Sequence, residues 1–335
     1  VSVKAGLPDS CITKNSTDHV EASASGKVIL FGEHAVVHGV TAIAAGISRG
    51  ARARARFCST DSLQVNNEPV IKGHDLYVAL RSLRDALSLP TAALEIDLDL
   101  PAGCGLGASA AMGIAVARAL LLLNNKASKD DDMLFRAVQS WEGVFHGTPS
   151  GVDVAAAQCG GAIRFTKDQP PEPLMLNRPL HLAIAEAGPP ASTKAMIKSV
   201  ANFKKKNSAQ FNRTLEGIAA LVDNANLLLR SGDLQAVGKL MDLNHMLLAG
   251  WMLSTEEIEN SRRIARNAGA LGAKLTGAGG GGCVIALAPE SRLVQGETDP
   301  AAGILRAWRA AGIQCFSARV ENPTSANHRK AAHQP

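Results

Sequence analysis

Apolar residues along the 335-residue chain form short runs in its first hundred positions and helix-spaced stripes further on. Lys27 to Phe31 has the length of a buried strand, and Thr41 to Ile47 is a second apolar run. Ala51 to Phe57 alternates small residues with Arg52, Arg54 and Arg56, a period of two that predicts a strand with one solvated, basic face. Leu94 to Leu100 alternates apolar positions with Glu95, Asp97 and Asp99, which predicts a half-exposed strand. Pro101 then opens a glycine loop, and Ala108 to Asn124 predicts a helix. Ser128 and Asp131 resemble a capping box before a second helix, whose Leu134, Val138, Trp141 and Phe145 share one face and whose stop is Gly147. The proline-rich stretch 168–179 reads as a linker and sets the expected domain boundary, giving domains 1–178 and 179–335. After it the pattern predicts a strand at Leu180 to Glu186 and helices over 193–206, 208–230, 233–250 and 255–269. A strand at Cys283 to Ala288, a helix at Pro300 to Ala311 and a last strand at Gln314 to Val320 follow. Residues 1–22 and the tail from about 322 are polar and unpatterned, and no internal repeat is present.

Composition narrows the classes. Hydrophobic residues make up 46%, which excludes wholesale disorder. A net charge of +5 suits an anionic ligand without requiring one. Three arginines without a second basic cluster, and aromatics at 4%, argue against a nucleic-acid surface. The six cysteines lie far apart with no CxxC pair, so they predict reduced thiols rather than a zinc site or a disulfide framework. The most apolar stretch, Ala110 to Leu123, contains Arg118 and is shorter than the roughly 20 residues a spanning helix needs. The first 25 residues lack the apolar core of a secretory signal and the C-terminus has no SKL-type address. The expected place is therefore the cytoplasm, with no membrane partner, and delivery to an organelle stays open.

Glycine is in surplus, 31 residues or about 9% against an average near 7%, and its positions carry the chemistry. In Pro101-Ala-Gly103-Cys104-Gly105-Leu106-Gly107-Ala108-Ser109-Ala110, three alternate glycines sit between a strand and a helix. Such a turn brings backbone close to a ligand, and the helix start offers unpaired N–H groups and the positive end of its dipole to phosphate. Ser109 lies in the first turn, where its hydroxyl can reach a phosphate or a magnesium ion. No Gly-Lys-Ser/Thr follows, so this is not a Walker A loop. The second run, Lys274-Leu-Thr-Gly277-Ala-Gly279-Gly-Gly-Gly282-Cys283, formally matches GxGxxG, but a strand rather than a helix follows it, so the dinucleotide reading fails on context. A hairpin turn and a backbone wall against another domain's ligand both remain open for it.

Glu142 sits near the C-terminal end of its helix, where the dipole disfavours a carboxylate, and this raises the case that it serves a cation. Asp153 follows a Pro-Ser-Gly turn and precedes Val-Ala-Ala-Ala. It reads either as a helix N-cap or as a partly buried proton acceptor or charge partner. Lys27 opens an apolar strand, and Glu33 and His34 occupy the turn after it. His34 and His38 are four apart, but the segment lacks the glutamate of a zincin helix. Gly46-Ile-Ser48-Arg-Gly50 fits a nucleophile elbow in letters only, since a strand pattern follows it.

Three separated segments together resemble the GHMP kinases. Gly26-Lys27 through Gly39, Pro101 through Ala111 and Lys274 through Cys283 are similar to the family's three motifs in order and spacing, across roughly residues 24 to 320. Gly-Glu-His-Ala-Val-Val together with His146-Gly-Thr-Pro-Ser-Gly-Val-Asp153 resembles the mevalonate kinase branch, and the Asp-Tyr that galactokinases carry after Glu-His is absent. The resemblance implies an α+β, two-domain GHMP kinase fold. Its N-terminal ATP-binding half would be like domain 2 of ribosomal protein S5, and its C-terminal half ferredoxin-like. It implies transfer of the γ-phosphate of ATP to the 5-hydroxyl of (R)-mevalonate with Mg²⁺, a step of isoprenoid and sterol synthesis, in a monomer or homodimer. Asp153 matches the family's catalytic base and Lys27 the lysine beside it. Ser109 and Glu142 match the magnesium ligands, and Glu33, His34 and Thr193 match residues around substrate and nucleotide. Pro101 to Ala110, with Gly277 and Gly279, matches the nucleotide loops. Ala108 stands where the family's first loop serine is expected. The alternatives are another small-molecule kinase of this family, or a non-catalytic nucleotide-binding protein on the same scaffold.

Overall fold

A computed structural model describes residues 19–101, 103–126, 131–146, 149–189, 191–290 and 299–323. The expected capping box at Ser128 and stop at Gly147 lie outside these residues. The chain is mixed α and β and forms two compact units, each discontinuous in sequence: residues 1–26, 49–100 and 107–158, and residues 27–48, 101–106 and 159–335.

Within the first unit, strand β2 (Ala42–Phe57) supplies its second half. This pairs antiparallel with β5 (Ala92–Leu98) in a register that sets Arg54 opposite Glu95 and Arg52 opposite Asp97. Arg54 bridges Asp97 at 3.2 Å and Arg52 bridges Glu21 at 3.2 Å, so acidic neighbours meet the basic face. β3 (Ser62–Val65) runs parallel to β5, with β4 (Glu68–Pro69) on its other side. Four helices complete the unit: α1 (Asp75–Leu87), α2 (Ala108–Leu123), α3 (Asp131–His146) and α4 (Val152–Cys159). Apolar nearly all round, α2 is buried nearly all round. At Gly113 a side chain would come within 2.9 Å of the Trp141 ring, so the missing Cβ lets α2 and α3 close up around that indole.

The second unit holds the first half of β2, paired with β6 (Ala162–Phe165), and a four-stranded antiparallel sheet in the order β11-β8-β10-β9. The strands of that sheet are β8 (Leu180–Glu186), β9 (Gly272–Thr276), β10 (Cys283–Leu287) and β11 (Cys315–Val320). Helices α5 (Thr193–Lys206), α6 (Ser208–Ser231), α7 (Leu234–Gly250), α8 (Glu256–Asn267) and α9 (Ala302–Ala310) belong to the same unit. Helix α7 lies tight on β9, because a Cβ at Gly238 would meet the Leu271 carbonyl at 2.3 Å and one at Gly272 would meet the Gly238 carbonyl at 2.0 Å. Only glycine allows that approach, and it brings the far end of α7 within reach of β9.

Several expectations need correction. β1 (Val20–Phe31) is longer than the apolar run that predicted it. The two runs at 41–47 and 51–57 are one strand, because Gly50 passes close to β1 rather than breaking the chain; a Cβ at this position would lie 2.0 Å from Ala24 O. The stretch 168–179 is no loose linker: β7 (Glu172–Pro173) pairs with β6 at a sheet edge, where proline is tolerated, and Leu174 and Leu176 are buried. Nor is Asn322 loose, since its side chain exchanges two hydrogen bonds with the Leu176 backbone at 2.7 and 2.9 Å. Among the described residues Cys104, Cys159, Cys283 and Cys315 are free thiols, as the spacing predicts. Among the described residues no helix is long and apolar enough to cross a membrane.

Candidate active site

The first unit brings together two of the expected ligands of a cation. Gly107, at φ 70°, is the residue before α2, and no side chain caps that helix start. Ser109 Oγ donates to Glu142 Oε1 at 2.5 Å, and Trp141 Nε1 donates to Ser109 O at 3.1 Å and to its Oγ at 3.2 Å. Glu142 is 2% exposed. A hydroxyl and a carboxylate side by side are hard oxygen donors of the kind Mg²⁺ prefers, and Mg²⁺ fills its remaining positions with water and phosphate oxygens. Among the described residues no group of three or more His, Cys, Asp or Glu side chains is placed to hold a metal. Asp153 is the second residue of α4, half-buried, after Gly151 at φ 88°. It therefore lies in the first turn of the helix and not at its cap.

The second unit gathers the first motif from Lys27 on, the start of the second (101–106) and the third. Lys27 is 2% exposed, and its backbone N–H donates to Leu106 O at 2.8 Å, tying the first motif to the glycine loop 101–106. Thr276 Oγ1 accepts from Ile29 N at 2.9 Å and donates to Ile29 O at 3.2 Å, tying the first motif to the third. The two glycine loops touch backbone to backbone: a Cβ at Gly105 would lie 3.5 Å from Thr276 O, and one at Gly277 would lie 3.4 Å from Gly105 Cα. Gly103, Gly105, Gly277 and Gly279 all have φ between 74° and 83°, where a side chain is strained. The second run is thus the β9–β10 hairpin turn, with Cys283 opposite Thr276, and it is also a wall against the first loop. Cys104 is buried; its thiol contact with Cys283 holds its pKa below the ordinary value and pushes that of Cys283 well above.

Glu33 and Lys274 are both fully buried and form an ion pair. Asn244, also fully buried on α7, donates from Nδ2 to Glu33 Oε2 at 3.1 Å. Burial pulls the Lys274 pKa down against the opposing charge of Glu33. His34 sits at φ 58° and donates from Nε2 to Ala278 O at 2.8 Å; burial lowers its pKa, against that hydrogen bond. His38 packs edge-on to Phe211 with ring centroids 5.0 Å apart, so the two histidines are not a metal pair. Ser48 accepts from Arg319 N at 3.0 Å within β2, and no helix follows it, so the elbow reading fails. Thr193 is exposed at the first position of α5, whose start lies against the third motif through Ala191 and Met196 near Gly280. Sequence reasoning missed Lys274, Asn244 and His245 as residues of interest. A lysine within a buried strand just before a glycine run was a readable sign; the two α7 residues gave none.

Comparison with known proteins agrees on one family. Residues 74–161 match the GHMP kinases N terminal domain and residues 225–314 match GHMP kinases C terminal. The mevalonate kinase of Pyrococcus horikoshii is 33% identical over 304 residues, covering 81% of this chain and 89% of that protein. The mevalonate kinase of Aeropyrum pernix is 32% identical over 299 residues, covering 82% and 90%. Among solved structures, L. major mevalonate kinase in complex with R-mevalonate superposes with a TM-score of 0.79 at 31% identity, covering 93% of this chain and 99% of that one. Lactococcus lactis galactokinase complexed with galactose shares the fold at a TM-score of 0.72 and 19% identity, covering 92% and 95%.

Proposed function

Since the chain belongs to the mevalonate kinases of the GHMP kinase family, we propose that it moves the γ-phosphoryl group of ATP to the 5-hydroxyl of (R)-mevalonate, releasing 5-phosphomevalonate and ADP. The observation that carries this reading is the Ser109–Glu142 pair, 2.5 Å apart, at a helix start that no side chain caps. Phosphoryl transfer asks a protein for positioning and charge stabilisation more than for covalent chemistry.

The glycine turn 103–107 and the first N–H groups of α2 hold the nucleotide phosphates. Ser109 Oγ and Glu142 would hold Mg²⁺, whose charge would offset that of the nucleotide phosphates. Lys27 adds positive charge at the phosphoryl end. Asp153 takes the proton of the attacking hydroxyl, or orients that hydroxyl, and Thr193 lies near the reacting group. Glu33 and His34 shape the region around substrate and nucleotide. Ala108 in place of a serine leaves the phosphate contacts to backbone N–H groups and Ser109. The halves 1–178 and 179–335 serve as ATP-binding and C-terminal domains; the two family matches fall one on each side of that line, which supports it. A cytoplasmic place and a monomer or homodimer complete the proposal.

ADP release with (R)-mevalonate, with and without Mg²⁺, tests it. Turnover that needs both is the expected result. Turnover with galactose, homoserine or phosphomevalonate in its place assigns another activity of the family. Nucleotide binding without turnover of any alcohol leaves a binding protein.

A further inference from the structure

Glu33 belongs to a buried triad with Lys274 and Asn244, and the roles just assigned give those two partners no part. All three side chains are 0% exposed. One oxygen of Glu33 meets the ammonium of Lys274 and the other meets the amide of Asn244 at 3.1 Å. Lys274 Nζ also donates to Leu275 O at 2.7 Å and to Ile29 O at 3.4 Å. Residue 34 follows directly and is held at φ 58° and ψ −38°, a positive-φ backbone that is strained for a residue with a side chain. Such a conformation persists only where the surroundings over-determine it. Here they do so on both sides, with Glu33 anchored to β9 and α7 and the His34 ring anchored to Ala278 O. A buried ion pair is a poor source of stability compared with apolar packing, whereas losing one partner strands a charge.

We propose that Glu33 acts in the reaction as a positioning residue, through Lys274 and Asn244, and not as a substrate contact. The triad fixes the turn from Gly32 to His34, and with it the end of the strand that carries Lys27 and the third-motif loop at Ala278. This rests on the kinase reading above.

A double-mutant cycle tests it, with kcat measured at a temperature where circular dichroism finds each variant folded. Glu33→Gln should lower kcat by about 30-fold while the KM for mevalonate stays within about threefold, the signature of lost transition-state positioning. Glu33→Gln added to Lys274→Met should cost nothing further, because residues acting as one unit are not additive. A tenfold rise in mevalonate KM at unchanged kcat, or penalties that multiply in the double variant, overturns the proposal in favour of direct substrate contact. Normal kcat in folded Glu33→Gln overturns it in favour of a purely structural role. Should Lys274→Met fail to fold, the Glu33→Gln and Asn244→Ala pair supplies the same cycle with the same outcomes. If wild-type enzyme turns over a different alcohol, the mevalonate reading falls and the cycle is run on the accepted alcohol, so the two failures stay distinct.

Discussion

Two glutamates are buried almost equally, Glu142 at 2% and Glu33 at 0% exposure, and the chain treats them differently. Glu33 meets an ammonium on one oxygen and an amide on the other. Glu142 takes the Ser109 hydroxyl on one oxygen at 2.5 Å. Their settings differ in the same way. In the first unit Ser109 on α2 and Asp153 on α4 stand in the opening turns of helices, where the helix dipole favours anions. Those of the second unit are closed on one another across β1, β9 and α7. The pair with Lys274 makes Glu33 part of the scaffold, whereas the Ser109 hydroxyl beside Glu142 at a helix start is what supports the proposal that Glu142 is a ligand. Identical residue type and burial therefore say little about role; the partner says most.

That contrast breaks first at Asp153. The variant Asp153→Asn keeps size and loses the charge, and kcat should fall by about 1,000-fold, the range of a lost proton acceptor, with KM for both substrates changed only modestly. Steady-state kinetics check it. Turnover near that of wild type removes Asp153 from the reaction and leaves the first unit without its reactive group.

The second unit's closed character has a pH signature. His245, next to Asn244 on α7, accepts from Leu275 N at 3.2 Å through Nδ1 and donates through Nε2 to Glu259 at 2.7 Å. Burial and the Arg262 charge lower its pKa from 6.5 to about 4. Glu259 stays ionised, held at about 2 by hydrogen bonds from His245 and Ser254 although its partial burial pulls upward. The unfolded chain therefore protonates this imidazole before the folded one does. The stability tied to its neutral form is complete above pH 6.5 and is lost as pH falls toward 4, a difference of about 3 kcal/mol for a group this buried. Denaturant unfolding across that window should show the loss in the wild type and a flatter profile in His245→Gln. Parallel profiles would detach His245 from the second unit's stability.

Much of this was legible in the sequence, and the reasons are physical. The helices from 193 onward have apolar stripes at helical spacing, and their observed bounds differ from the expected ones by a residue or two. The glycine runs were legible because eight of their residues, three in the first loop and five in the second, adopt positive φ that other residues resist. What escaped was through-space. α4 is a short helix of small residues with weak periodicity. β9 hides a lysine in a fully buried strand, which composition would place at a surface. Asn244 and His245 matter only because two glycines let α7 sit on β9, a contact that no local pattern announces.

Glu142→Gln sharpens the comparison from the ligand side. The neutral amide keeps the shape and can still accept from Ser109, so the fold should hold while the Mg²⁺ concentration for half-maximal rate rises about 10-fold to 100-fold. Saturating Mg²⁺ should restore most of the turnover. An unchanged metal titration would make Glu142 scaffold like Glu33 and erase the distinction.

The smallest effect belongs to Thr276, whose hydroxyl both accepts from Ile29 N and donates to Ile29 O. Thr276→Val keeps the shape and leaves a buried backbone N–H without that acceptor, at about 1–3 kcal/mol. Because Lys274 still reaches Ile29 O and Glu33, the turn at His34 should keep its conformation. The expected result is a lower denaturant midpoint with kcat within about twofold of wild type, since stability and transition-state positioning are separate quantities. A large fall in kcat at full folding would show that the hydroxyl, and not the ion pair, holds the first motif against the third. The second unit's scaffold would then rest on a neutral hydrogen bond, and the contrast between the two glutamates would lose its meaning.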